Sequence, residues 1–124
     1  MIVGRTTASP LVSPSARAIN PLAPVVRAAS AVTAGDPALI RGRRVLVVED
    51  GPSVTHGGMP YGAGYVAAVA AQAAEIADPR SAAVGEIADV YTRYPHIGSV
   101  LPAVGYHPSQ LEALQATINA VDAD

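Results

Sequence analysis

An open parallel α/β layer is the fold class this sequence predicts, and three observations predict it. Arg44-Val45-Leu46-Val47-Val48 is a continuous apolar, largely β-branched run that ends in Glu49-Asp50-Gly51, the pattern of a strand covered on both faces. Strand candidates alternate with helical stretches of about 10–14 residues, as parallel βαβ units require. One of those helices, Tyr65–Ala77, is built mainly of small residues that let it approach a sheet closely.

The elements follow in order. Pro10, Pro14, Pro21 and Pro24 interrupt residues 1–24, so no long helix is expected there. Ser13–Ile19 has room for two turns before Asn20-Pro21 stops them. Val25–Ser30 reads as a short strand. Asp36-Pro37 is an N-cap followed by Pro at the first helical position, predicting a turn or two over Pro37–Arg41 that Gly42 ends. The strand beginning at Arg44 comes next, then a loop over 51–64 with five Gly and two Pro. Tyr65–Ala77 is expected as a helix with Val66, Val69, Ala70, Ala73 and Ala74 on its buried stripe, although Glu75–Pro79 can instead hold a brief strand. Val84–Tyr94 is a second helix, with Ile87, Val90, Tyr91 and Tyr94 inward and Pro95 as its stop. A strand over His96–Leu101, a loop over Pro102–His107 and a helix over Pro108–Val121 with Leu111, Leu114 and Ile118 inward complete the chain. This divides it into a Pro/Ser-rich segment, 1–24, and an α/β domain, 25–124. The last helix has no strand after it, so the layer is expected to be incomplete.

Composition narrows the function classes. The 124 residues suffice for one domain of ordinary size. Half are hydrophobic, but 25 are Ala and none is Phe or Trp, so each core position buries little area. Charged residues make up 15% against roughly 25% in typical domains, which suggests that something else normally covers part of the surface. A net charge of −2 gives no field to attract nucleic acid or an anionic membrane. Without Cys there is no disulfide, thiolate metal site or Cys nucleophile. The longest apolar run, Val66–Ala71, is far short of a membrane span. With no charged-then-apolar leader, a cytoplasmic location is expected.

The block at 45–64 is the strongest chemical constellation. Ligands of open α/β sheets bind beyond the carboxyl ends of the strands, where Glu49 and Asp50 fall. A carboxylate there can hold Mg²⁺, or the pair can be an acidic turn after a buried strand. The loop Gly51-Pro52-Ser53-Val54-Thr55-His56-Gly57-Gly58-Met59-Pro60-Tyr61-Gly62-Ala63-Gly64 can cradle a phosphate. Gly57, Gly58, Gly62 and Gly64 would open the backbone to an anion, while Ser53 and Thr55 offer hydroxyls. His56 can donate to phosphate or move a proton. Equally, the glycines can serve tight strand-to-helix packing alone. Arg41, Arg43 and Arg44 lie at the far end of the strand from the acids. Arg80 can reach phosphate or sit in a surface turn. His96 and His107 lack metal-ligand spacing with each other or with His56. No Gly-x-Ser-x-Gly or His-Glu-x-x-His motif occurs, and a chain with no Lys has no Walker A loop.

The run from Arg41 through Val45-Leu46-Val47-Val48-Glu49-Asp50-Gly51-Pro52-Ser53-Val54-Thr55-His56-Gly57-Gly58-Met59 resembles the signature of the cyclic 2,3-diphosphoglycerate synthetase family, whose bacterial members are described as predicted GTPases. Tyr61–Gly64, Ala77–Arg80, Tyr94–Gly98 and Val100–Tyr106 agree too, so the likeness covers about Asn20 to Asn119. It implies an internal piece of a longer P-loop NTPase-like layered enzyme that uses ATP and Mg²⁺ to close a phosphoanhydride in 2,3-bisphosphoglycerate. Its Walker A loop would precede this region. Carried onto these positions, Glu49 and Asp50 would serve metal, His56 and Asp50 catalysis, and Ser53, Thr55, Gly57, Gly58, Gly62 and Gly64 the cofactor, ATP or GTP. Ser53 stands where the family usually has Thr. The implied partners are a nucleotide and a small phosphorylated metabolite, with homodimerisation left open. The competing reading is a non-catalytic phosphate-binding or assembly module.

Overall fold

The apolar run at 44–50 forms strand in two short pieces, β1 (Arg44–Val45) and β2 (Val48–Asp50). The computed structural model describes residues 12–24 and 31–124, which divide into two units, Met1–Val32 and Thr33–Asp124. In the first unit, helix α1 (Val12–Ile19) occupies the stretch where two turns are expected. Asn20 then closes a turn by accepting the Leu22 N–H at 3.1 Å. The strand expected at Val25–Ser30 lies outside the described residues.

The second unit is an α/β arrangement of short parallel strand pairs with flanking helices. Asp36 accepts the Ala38 N–H at 3.0 Å and opens a single 3₁₀ turn, Pro37–Leu39. β1 pairs in parallel with β3 (Glu75–Ile76), and β2 in parallel with β4 (Leu101–Ala103). Side chains alternate along the strand as the period of two dictates. Val45 and Val47 pack with Val54, Ala68, Ile97 and Val100. Leu46 turns the other way, toward Ile87, Leu101 and Ala113. Two small cores result, one on each face.

Five sequence expectations shift. The segment after Asp50 is not all loop, because Gly51–Thr55 forms a helix, α2, with Pro52 in its first turn. Helix α3 runs over Ala63–Ala70 and stops well before Ala77. Gln72 adopts a left-handed φ of 63°, which turns the chain so that Ala74 and Glu75 donate to the Arg43 carbonyl and Ala77 to that of Val45. Strand pairing therefore takes Glu75 and Ile76, within the brief strand expected as the alternative to helix at Glu75–Pro79. The inward face of α3 carries Ala68, with Ala71 just beyond, while Val66 and Val69 are exposed. Small residues face the sheet because close approach leaves no room for Val.

Helix α4 (Gly85–Arg93) matches expectation, with Ile87 fully buried and Val90, Tyr91 and Tyr94 half-buried. The following strand is displaced: His96–Val100 is turn and β4 is Leu101–Ala103. Pro102 is tolerated because its register partner Glu49 bonds to the residues on either side of it in a parallel ladder, so its missing N–H costs nothing. In α5 (Pro108–Ala120) the buried residues are Ala113 and Thr117, whereas Leu111 and Ile118 are exposed and only Leu114 is half-covered. Thr117 donates to the Ala113 carbonyl at 2.8 Å and accepts the Val84 N–H at 3.3 Å, tying α5 to the start of α4.

Candidate functional site

β2 ends at the carboxylate pair, and its two members go different ways. Glu49 is buried and exposed to only 6%. Its Oε1 accepts the N–H groups of Gly62 (3.0 Å) and Tyr65 (2.8 Å), and its Oε2 that of Gly64 (3.2 Å). The carboxylate therefore satisfies donors at the N-terminus of α3, where negative charge is favoured. Gly62 and Gly64 make room for it, since a Cβ on Gly62 would lie 2.6 Å from Glu49 Oε2. Asp50, by contrast, is exposed and accepts from the Ser53 hydroxyl at 3.2 Å.

α2 carries the next two candidates. Thr55 Oγ1 donates to the Gly51 carbonyl at 2.8 Å and lies 3.1 Å from His56 Nδ1. His56 is exposed at the helix C-cap. Gly57 packs against the Ser53 carbonyl where no side chain fits, and Gly58 takes a left-handed φ of 63°. From the next turn, His96 Nε2 sits 2.7 Å from the Val54 carbonyl and ties down the back of α2.

Thr55 and His56 open onto a cleft of about 300 Å³ whose opposite wall is α4. There Glu86, Asp89 and Arg93 point into the same space, joined by Gln110 from α5. Helical spacing explains the alignment, since 86, 89 and 93 lie on one face. Arg93 occupies the last turn of α4, where a cation is favoured. Glu86 is held below the usual carboxylate range, first by the hydrogen bond from Ser109 (2.6 Å) and then by Gln110. Of the residues singled out from sequence, the cleft gathers Thr55 and His56. Asp50 and Ser53 pair with each other, Glu49, Gly62 and Gly64 form the α3 cap, and Gly57 and Gly58 follow α2. Sequence reasoning missed Glu86, Asp89 and Arg93. Their signal was present as a charged stripe at i, i+3 and i+7 of a well-marked helix.

A second charged cluster lies apart. Arg80 holds Asp78 through its guanidinium, with Nε 2.9 and 3.0 Å from the two carboxylate oxygens, which lowers the Asp78 pKa. Nearby, Tyr91 donates to the Val100 carbonyl at 2.6 Å. Burial, more than the neighbouring Asp78, pushes its hydroxyl pKa up. Arg80 is thus committed to its own carboxylate. Among the described residues, no group of three or more His, Asp or Glu side chains is arranged to hold a metal. No described helix is long and apolar enough to cross a membrane.

No family profile matches the chain, and no solved structure matches it. A curated protein does. The chain is 58% identical over 106 residues to a Thermococcus kodakarensis protein named arginine synthetase ArcE. The match takes in 86% of this chain but only 24% of that relative, so the chain spans about a quarter of its length. That name is of a synthetase, and it is not the name of the cyclic 2,3-diphosphoglycerate enzymes.

Proposed function

We propose that these residues form the acceptor-binding part of a nucleotide-dependent synthetase, a ligase of the P-loop layered kind. The observation that carries the reading is the 58% identity to a protein named arginine synthetase over most of the chain. The cleft supports it. Its two carboxylates and one guanidinium suit a small ligand carrying both a cationic and an anionic group, as an amino acid does. Arg93 takes the anionic group, Glu86 and Asp89 the cationic one, and Thr55 and His56 approach the reacting end.

The resemblance to cyclic 2,3-diphosphoglycerate synthetases makes a phosphorylated metabolite the competing ligand, with ATP-driven closure of a phosphoanhydride, or GTP hydrolysis, as the competing reaction. In both readings the nucleotide is held chiefly by a Walker A segment outside these residues. Mg²⁺ is commonly held by one or two carboxylates together with the phosphates it neutralises. Asp50 fits that use, since it is exposed and, among the described residues, its side chain bonds to the Ser53 hydroxyl. Glu49 spends both oxygens on α3 and contributes by positioning the loop from Gly57 to Gly64. His56, beside Thr55 Oγ1, holds or moves a proton at the ligand.

Calorimetry tests the proposal. The chain is titrated with arginine, 2,3-bisphosphoglycerate, ATP and GTP, each with Mg²⁺. Heat from arginine or the bisphosphate that disappears in Arg93→Ala and His56→Ala, both still folded, is the expected result. No heat from any of the four would leave an assembly module as the better description.

A further inference from the structure

Among the described residues the strand at 44–50 pairs with other strands along one edge only. The carbonyls of Arg43 and Val45 accept from the β3 region, and that of Val47 accepts from Leu101 of β4. Alternate residues point their main-chain groups the other way. On that second edge Arg44 N–H donates to Asp124 Oδ2 at 2.8 Å, and Arg44 C=O accepts the Asp124 N–H at 2.8 Å. The main-chain groups of Leu46 and Val48 face the same way. Among the described residues none bonds to the main chain of Leu46.

Beside this edge runs a groove of about 570 Å³, walled by Val45–Val48, by Ala67 and Ala68 of α3, and by Ile118 and Val121 at the end of α5. Its lining is apolar apart from Asp124, and it leaves Val48 45% exposed. Parallel strands are normally covered on both faces, and an exposed apolar edge is a template for pairing with further chain.

We propose that this groove seats one further parallel strand, supplied by the part of a longer synthetase polypeptide that has no counterpart in these 124 residues. Three observations select that occupant. The Asp124 N–H already bonds to the Arg44 carbonyl, which puts one main-chain bond on the edge that such a strand would occupy. The walls are apolar on both sides, as alternating side chains of a buried strand require. The matched region is only 24% of the Thermococcus relative, so most of that protein remains to supply it. A second copy fits less well, because two-fold pairing through this edge would be antiparallel and would displace Asp124. The inference does not depend on which ligand the cleft takes.

Backbone amide exchange tests it, measured on this chain and on the full-length Thermococcus relative. Leu46 and Val48 should exchange quickly in this chain, while the aligned amides of the relative exchange at least roughly 100-fold more slowly. Val48→Lys should leave the melting temperature of this chain unchanged, and the same change in the relative should lower it. Fast exchange at those positions in the relative would overturn the proposal. So would protection of Leu46 and Val48 in this chain alone, whether as a monomer or as a dimer.

Discussion

Replacing Glu49 separates a structural carboxylate from one that only waits for metal. Three main-chain N–H groups bond to it at 2.8–3.2 Å in a site exposed to 6%. Hydrogen bonds to a charged group contribute about 1.5–3 kcal/mol each. Three bonds to one carboxylate act as a unit and do not add. Glu49→Ala strands three buried N–H groups, each costing about 1–3 kcal/mol and together less than the sum, so a loss of about 3–5 kcal/mol is expected. Glu49→Gln keeps one acceptor oxygen for Gly62 and Tyr65 but turns an amide NH₂ toward the Gly64 N–H, so about 2 kcal/mol is expected. Urea unfolding at neutral pH reads both, with the denaturant slope checked for constancy. A carboxylate held ready for a cation would behave oppositely, because removing an uncompensated buried charge stabilises. Stability of Glu49→Gln within about 0.5 kcal/mol of the parent, or above it, would refute the capping argument.

Gly62→Ala should unfold more easily than the parent, because its Cβ meets Glu49 Oε2 at 2.6 Å. The loss should shrink in the Glu49→Ala background, a coupling that a double-mutant cycle measures. Thr117→Val strands the Val84 N–H, so unfolding titration should show a loss of about 1–3 kcal/mol. The acid limb of stability carries a signature of Asp78, whose folded pKa lies below its unfolded value of ~3.9. Its contribution is complete above that unfolded value and is lost as pH falls through the lower folded one. Asp78→Asn should flatten this part of the curve, and the half-exposed ion pair limits the loss at neutral pH to less than about 1 kcal/mol.

Local signals made much of the fold legible. α4 has a strong 3.6-residue pattern and a proline stop, and its burial follows the stripe of Ile87, Val90, Tyr91 and Tyr94. The run at 44–50 is β-branched enough to read as strand wherever its partners lie. The failures are long-range. Ala is an excellent helix former, so the local pattern left helix and a brief strand at Glu75–Pro79 both open, and the pairing of Ala74–Ala77 with β1 decides for the strand. Pro102 argued against a strand that its position in a parallel ladder allows. Gly62-Ala63-Gly64 has the spacing of an anion-binding turn, and it does meet an anion, the Glu49 carboxylate of the same chain. Sequence distance hid that pairing. The acidic and basic wall of the cleft was hidden differently, because a charged stripe on an exposed helix is usually just a solvated face.

In the proposed function, Thr55 and His56 share a ligand site with Glu86, Asp89 and Arg93. Amide chemical shifts recorded while arginine or 2,3-bisphosphoglycerate is added in the presence of Mg²⁺ test it most directly. Shifts concentrated at Thr55, His56, Glu86–Arg93 and Gln110, absent in Arg93→Ala, are the expected result. Saturating shifts centred instead on Gly62–Tyr65, or no shift with either compound, would contradict it.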